Sequence, residues 1–220
     1  MHAGLPSWHE LATSMIAACD RHGLDPSTKA ELSDLTQQGS LDDVLEYCRD
    51  FMGEGVYRDF LSQVFESSSV KSTIHQLVMQ LPTTATFSTN YDRLLETSHV
   101  EAHGSLPTVL TNHDVTSLWR RASRREPFIL KVHGDITRPE TVVLTGRDYT
   151  QHIFGNLPFM QFLQRTLMSS SVLFLGTSLS DDYLRRILEE VAVLTGGLGM
   201  QHYAIMNQRL RPGSSGNVSM

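Results

Sequence analysis

A chain of 220 residues carrying 18 Lys and Arg against 24 Asp and Glu has a formal net charge of −6, and 40% of it is hydrophobic. That length and apolar content suit one sizeable core, which excludes wholesale disorder, and the mild acidity excludes nucleic-acid binding driven by net charge. Two cysteines, Cys19 and Cys48, are too few for a disulfide framework or a four-thiolate zinc site, and no run approaches the roughly 18 apolar residues of a membrane span. The expected setting is therefore cytoplasmic and reducing, with both thiols buried as small hydrophobes.

The first predicted helix opens at Ser7, an N-cap with Glu10 three residues on, and carries Leu11, Met15 and Ile16 as its apolar stripe to about Arg21. A second starts at Asp25-Pro26 and a third at Ser40, where Asp42 and Asp43 complement the helix dipole. Between Val56 and Phe65, the residues Tyr57, Phe60, Leu61, Val64 and Phe65 share a face, and another helical run spans Ser72 to Met79.

From residue 80 the apolar runs shorten and β-branched content rises. Thr83 to Thr89, Phe128 to Val132, Val142 to Leu144, Ser171 to Leu175 and His202 to Met206 read as strands, with helices at Tyr91 to Thr97, Leu157 to Leu167 and Asp181 to Val193. Short, nearly continuous apolar strands alternating with helices predict an α/β fold: a parallel sheet flanked by helices, with an N-terminal helical layer or insertion. The expected organisation is one domain over residues 1–210, helical over about 7–80 and Rossmann-like over about 81–206, followed by a flexible Gly- and Ser-rich tail at 211–220.

Ligands of open α/β sheets bind at the carboxyl ends of strands. Three predicted strands end in compact polar sequences: Thr89-Asn90-Tyr91-Asp92, His133-Gly134-Asp135 and Gly176-Thr177-Ser178. Asn-x-Asp, His-Gly and Gly-Thr-Ser in that order resemble the sirtuin core. The finer pattern of FSTNYDRLLE, LKVHGD, VVLTGRDY and FLGTSLSDDYL resembles the SIR2-like branch of bacterial antiphage defence proteins, over about residues 3 to 206.

The resemblance implies NAD as substrate, with cleavage of its nicotinamide–ribose bond. Asn90 would orient water near the ribose and His133 would be the catalytic histidine. Asp92 would contact the nicotinamide amide, and Gly134, Gly176, Thr177 and Ser178 would border the cofactor. No metal is implied. A homo-oligomer or an activating protein partner is expected, since unrestrained NAD depletion is toxic, whereas membrane and direct nucleic-acid partners are not. The family's first strand and glycine-rich loop should stand before AGLPSW, where only Met1-His2 precede it, so a mis-assigned start or a truncated or degenerate member is expected. A catalytically silent nucleotide-binding or scaffolding module is the alternative. Protein deacylation ranks lower, because deacylating sirtuins generally carry four zinc-binding cysteines.

The residues also admit plainer roles. Asn90 reads equally as a helix N-cap, Asp92 as a first-turn carboxylate, His133 as a hydrogen-bonded core histidine and Gly176-Thr177-Ser178 as a capped β-to-α turn. His99 and His103 have helical metal-ligand spacing without a third ligand. The cluster Trp119-Arg120-Arg121 and Arg124-Arg125 reads as a solvated connection, and Gly196-Gly197-Leu198-Gly199 as a turn.

Overall fold

The computed structural model describes residues 6–65, 73–176 and 182–205, and the chain divides into two compact units, Met1–Met160 and Gln161–Met220. The tail at 211–220 lies outside the described residues.

In the first unit, helix α1 (Trp8–Arg21) starts on a capping box: the Ser7 N–H donates to Glu10 Oε2 at 2.6 Å and the Glu10 N–H to Ser7 Oγ at 3.3 Å. Helix α2 (Pro26–Gln38) is capped by Asp25, whose carboxylate accepts from the backbone of Ser27 and Thr28, and ends on a left-handed Gly39. The hydroxyls and N–H groups of Ser27 and Thr28 hold the Asp25 carboxyl down at about 2. Helix α3 (Leu41–Phe65) bends at Gly53, where φ is +69°, so it contains both helical runs anticipated on either side of that glycine. Leu11, Met15, Cys19, Val44, Cys48 and Leu61 bury together among these helices. The Cys19 thiol donates to the Cys48 carbonyl oxygen at 3.7 Å.

Helix α4 (Thr73–Met79) leads into strand β1 (Ala85–Ser88), helix α5 (Leu94–His103), strand β2 (Val109–Thr111), helix α6 (Val115–Arg124) and strand β3 (Phe128–Lys131). The three strands form a parallel sheet in the order β1-β3-β2, and β3, in the centre, is buried throughout. Helices α4 and α5 pack on it through Met79, Leu95 and Ile129. The α1–α3 layer meets the polypeptide beyond the strand ends, because Tyr91, Ile136, Val142 and Leu144 belong to its core. A short helical turn, α7 (Gly146–Asp148), runs into a π-helical turn over Tyr149–Phe154.

The second unit holds most of helix α8 (Leu157–Ser169), then strand β4 (Leu173–Leu175), helix α9 (Asp182–Leu194) and strand β5 (Tyr203–Ile205), with β4 and β5 parallel. The anticipated α/β class is thus present, and every strand pairing among the described residues is parallel. Gly196 and Gly197 turn the chain after α9 with φ of +59° and +75°.

Three local readings change. Val142–Leu144 pairs with no strand among the described residues. It is apolar because it is buried, and its polar links include the Val143 N–H to the His133 carbonyl at 2.8 Å and the Tyr91 hydroxyl to the Val143 carbonyl at 2.7 Å. Strand β2 was not anticipated, since three residues carry too little alternation. The arginine-rich stretch forms α6, an amphipathic helix with Leu118 buried, rather than a loose connection.

Candidate functional site at the strand ends

Register fixes the site. Lys131 of β3 pairs with both Ser88 of β1 and Thr111 of β2, so the three strands end level and the residues after them share one edge. Asn90 and Asp92 follow β1, Asn112 and Asp114 follow β2, and His133 and Gly134 follow β3.

Asn90 is exposed, and its backbone N–H donates to Ser88 Oγ at 3.1 Å. The N-cap position considered for it is taken by Arg93, without a side-chain capping bond, and the preceding Asp92 accepts from the Leu94 N–H through Oδ1 at 2.8 Å. Asp92 is 3% exposed, and its second oxygen, Oδ2, has no hydrogen-bond partner among the described residues. That carboxylate therefore holds the Leu94 N–H with one oxygen and keeps an acceptor in reserve.

His133 is buried at 7% exposure, and its backbone carbonyl is pinned by Val143. The Tyr149 hydroxyl lies 3.3 Å from each ring nitrogen. Gly134 adopts φ +90°, and a Cβ there would stand 2.1 Å from the Thr141 carbonyl oxygen. The close approach that glycine permits is thus to the chain's own Thr141–Val142 backbone. Gly176 closes β4 in the second unit, exposed and with φ +63°. Thr177 and Ser178 lie outside the described residues, as does Asp181 of the anticipated helix start.

Several residues bracing this edge are not among those singled out by sequence. Lys131 is 1% exposed; its ammonium lies 3.0 Å from Glu96 Oε1 and donates to the carbonyls of Tyr91 and Asp92. Its signal was a charge inside the apolar FILKV strand. Asn112 donates to the Thr141 carbonyl at 3.2 Å and accepts at its own carbonyl from Asn156 at 3.0 Å. Asp114 accepts from the Thr111 N–H and from Arg138 at 2.6 Å. Burial pushes that carboxyl up, but the Arg138 and Thr111 bonds outweigh it and hold the group below its usual value. Asp148 accepts from the N–H groups of Leu144 and Thr145, each at 3.0 Å, and from Arg49 of α3, so the helical layer is tied to the turn that carries Tyr149.

Chemically, the edge sets an exposed amide, a buried imidazole and a buried carboxylate with a spare acceptor around the ends of parallel strands. An amide both donates and accepts, and an imidazole exchanges protons near neutral pH. No three His, Cys, Asp or Glu side chains among the described residues are grouped to hold a metal ion, and no helix among them is long and apolar enough to cross a membrane.

The profile of the SIR2-like domain matches residues 84–216. The NAD(+) hydrolase ThsA of Enterococcus faecium is 29% identical over 214 residues, covering 96% of this chain and 42% of that protein. The NAD(+) hydrolase ThsA of Cytobacillus dafuensis is 32% identical over 155 residues, covering 69% of this chain and 31% of that protein. Defense-associated sirtuin 2 of Bacillus subtilis is 27% identical over 146 residues, 64% of this chain and 14% of that protein. The chain spans less than half the length of these relatives.

Proposed function

The chain belongs to the SIR2-like domain family, and from that premise we propose that it is the NAD-cleaving module of an NAD hydrolase acting in antiphage defence. The observation that carries the reading is that Asn90 and His133 each follow one of two adjacent parallel strands whose ends are level, in a chain similar to proteins named NAD(+) hydrolase.

In the proposed reaction the bond between ribose C1′ and the pyridinium nitrogen breaks, its electron pair staying with nicotinamide, which leaves neutral. Water held by the Asn90 amide adds to C1′ and gives its proton to His133, so the products are nicotinamide, ADP-ribose and a proton. The developing oxocarbenium asks for positioning and electrostatic support more than for a strong acid. The spare Asp92 oxygen supports a contact with the carboxamide N–H of nicotinamide. Gly134, Gly176, Thr177 and Ser178 would border the remainder of the dinucleotide. The reading takes residues 1–210 as one functional domain, in the cytoplasm, working as a homo-oligomer or under an activating partner.

The test is nicotinamide release from NAD by the purified full chain, with Asn90→Ala and His133→Ala alongside. Loss of at least about 100-fold in both variants is expected. Turnover unaffected by both substitutions overturns the assignment, and tight NAD binding without turnover favours a silent binding module.

A further inference from the structure

We infer that Lys131 is a positioning residue for Asn90: its ammonium holds the segment that carries Asn90 and Asp92 against the strand that leads to His133. The inference rests on the function proposed above.

The register shows why that segment needs a holder. The β1–β3 ladder closes at Ser88, which is aligned with Lys131 and whose carbonyl accepts from the Val132 N–H at 2.8 Å. Past that bond, residues 89–93 are neither strand nor helix, and Asn90 lies exposed among them. The Lys131 ammonium donates to the carbonyls of Tyr91, at 3.5 Å, and of Asp92. Asn90 is thus bracketed by the ladder bond at Ser88 on one side and by the ammonium at 91–92 on the other. His133 stands two residues beyond Lys131 on the same chain, so one side chain ties both proposed catalytic groups to the end of β3.

The chemistry separates this role from plain core stabilisation. Burying an ammonium alone is costly, and Glu96 of α5 offsets that cost with its Oε1 3.0 Å away. An apolar pair of similar volume would fill the same space at least as well. Main-chain carbonyls in an irregular buried segment, by contrast, need donors brought to them from elsewhere, and a lysine at the end of the central strand delivers its N–H groups there. The benefit falls on the placement of Asn90, because a misplacement of about 1 Å in a group that positions a reactant can cost about 100-fold in rate.

The test uses the full chain with both buried charges replaced, Lys131→Met with Glu96→Leu, so that neither is left stranded. Its kcat per folded molecule should fall about 30-fold, with KM within about threefold of wild type. Asn90→Ala added to this pair should cost less than about fivefold, against at least about 100-fold in the wild-type background, because the amide is already out of place. Hydrogen–deuterium exchange of the 89–94 amides should speed up while that of α1–α3 is unchanged. A kcat equal to wild type overturns the inference, and so does a further loss on adding Asn90→Ala as large as that in wild type. If the variant does not fold, Lys131→Gln with Glu96→Gln takes its place in the same measurements, its amide being one bond too short to hold both carbonyls. If wild type cleaves no NAD, the functional reading fails and exchange at 89–94 alone decides whether Lys131 holds the segment, unchanged exchange overturning it.

Discussion

At Gly134, φ is +90° and the space a side chain would enter is filled by the Thr141 carbonyl group. Alanine there combines a left-handed backbone with a clash against main chain that has no rotamer to change, so Gly134→Ala should lower stability by about 3 kcal/mol, read as a shifted urea midpoint. A variant as stable as wild type would show that the 141–142 segment gives way freely. The His-Gly pair was legible as a motif, but the reason for the glycine was not, because it lies seven residues downstream in backbone whose approach to Gly134 no local spacing signals. Lys131 differs: a charge in a buried strand was visible, yet Glu96 sits 35 positions earlier in a helix, and no local spacing links the two. Removing one member of such a buried pair strands the other, whereas replacing both with apolar groups is tolerated far better.

The π-helical turn carries a pH dependence of its own. Burial, the neighbouring His113 ring at 3.3 Å and Arg49 hold His152 below the ordinary imidazole value, against the opposing pull of Asp148. A histidine depressed in the folded state binds fewer protons there than in the unfolded chain, so stability falls as pH drops below about 6.5. His152→Gln should make that decline shallower between pH 7 and pH 5 in urea titrations, and an unaltered slope would remove His152 as its source. At this scale the helix starts were the legible part: Ser7 with Glu10 and Asp25 with Pro26 are local signals read within one turn. β2 and the Val142–Leu144 segment were not, because pairing is decided by the neighbour a segment meets. Val142–Leu144 met a tyrosine hydroxyl and a histidine carbonyl instead of a strand.

For the chain as a whole, binding of the reaction's product offers a measurement separate from catalysis. ADP-ribose at about 100 times its Kd adds about 2.7 kcal/mol to the folded state, a rise of roughly 8 °C in Tm for a chain of this size. No shift with ADP-ribose or NAD, together with no turnover, would count against both the hydrolase and the silent binding module. The parallel α/β class and the order of the strand-end motifs were legible because each motif sits beside its own strand, while the links among those ends join residues up to 99 positions apart, as between Arg49 and Asp148. Cys19 and Cys48 offer a probe of the helical layer. Both are 0% exposed inside the helical layer, and the Cys48 thiol is pushed up by its contact with the Cys19 thiol and by burial. A maleimide added to the native protein should therefore report how often α1 and α3 part, turning the thiols into a clock for local opening. A cysteine introduced at exposed Asn90 would be modified first, without either native thiol needing to be removed.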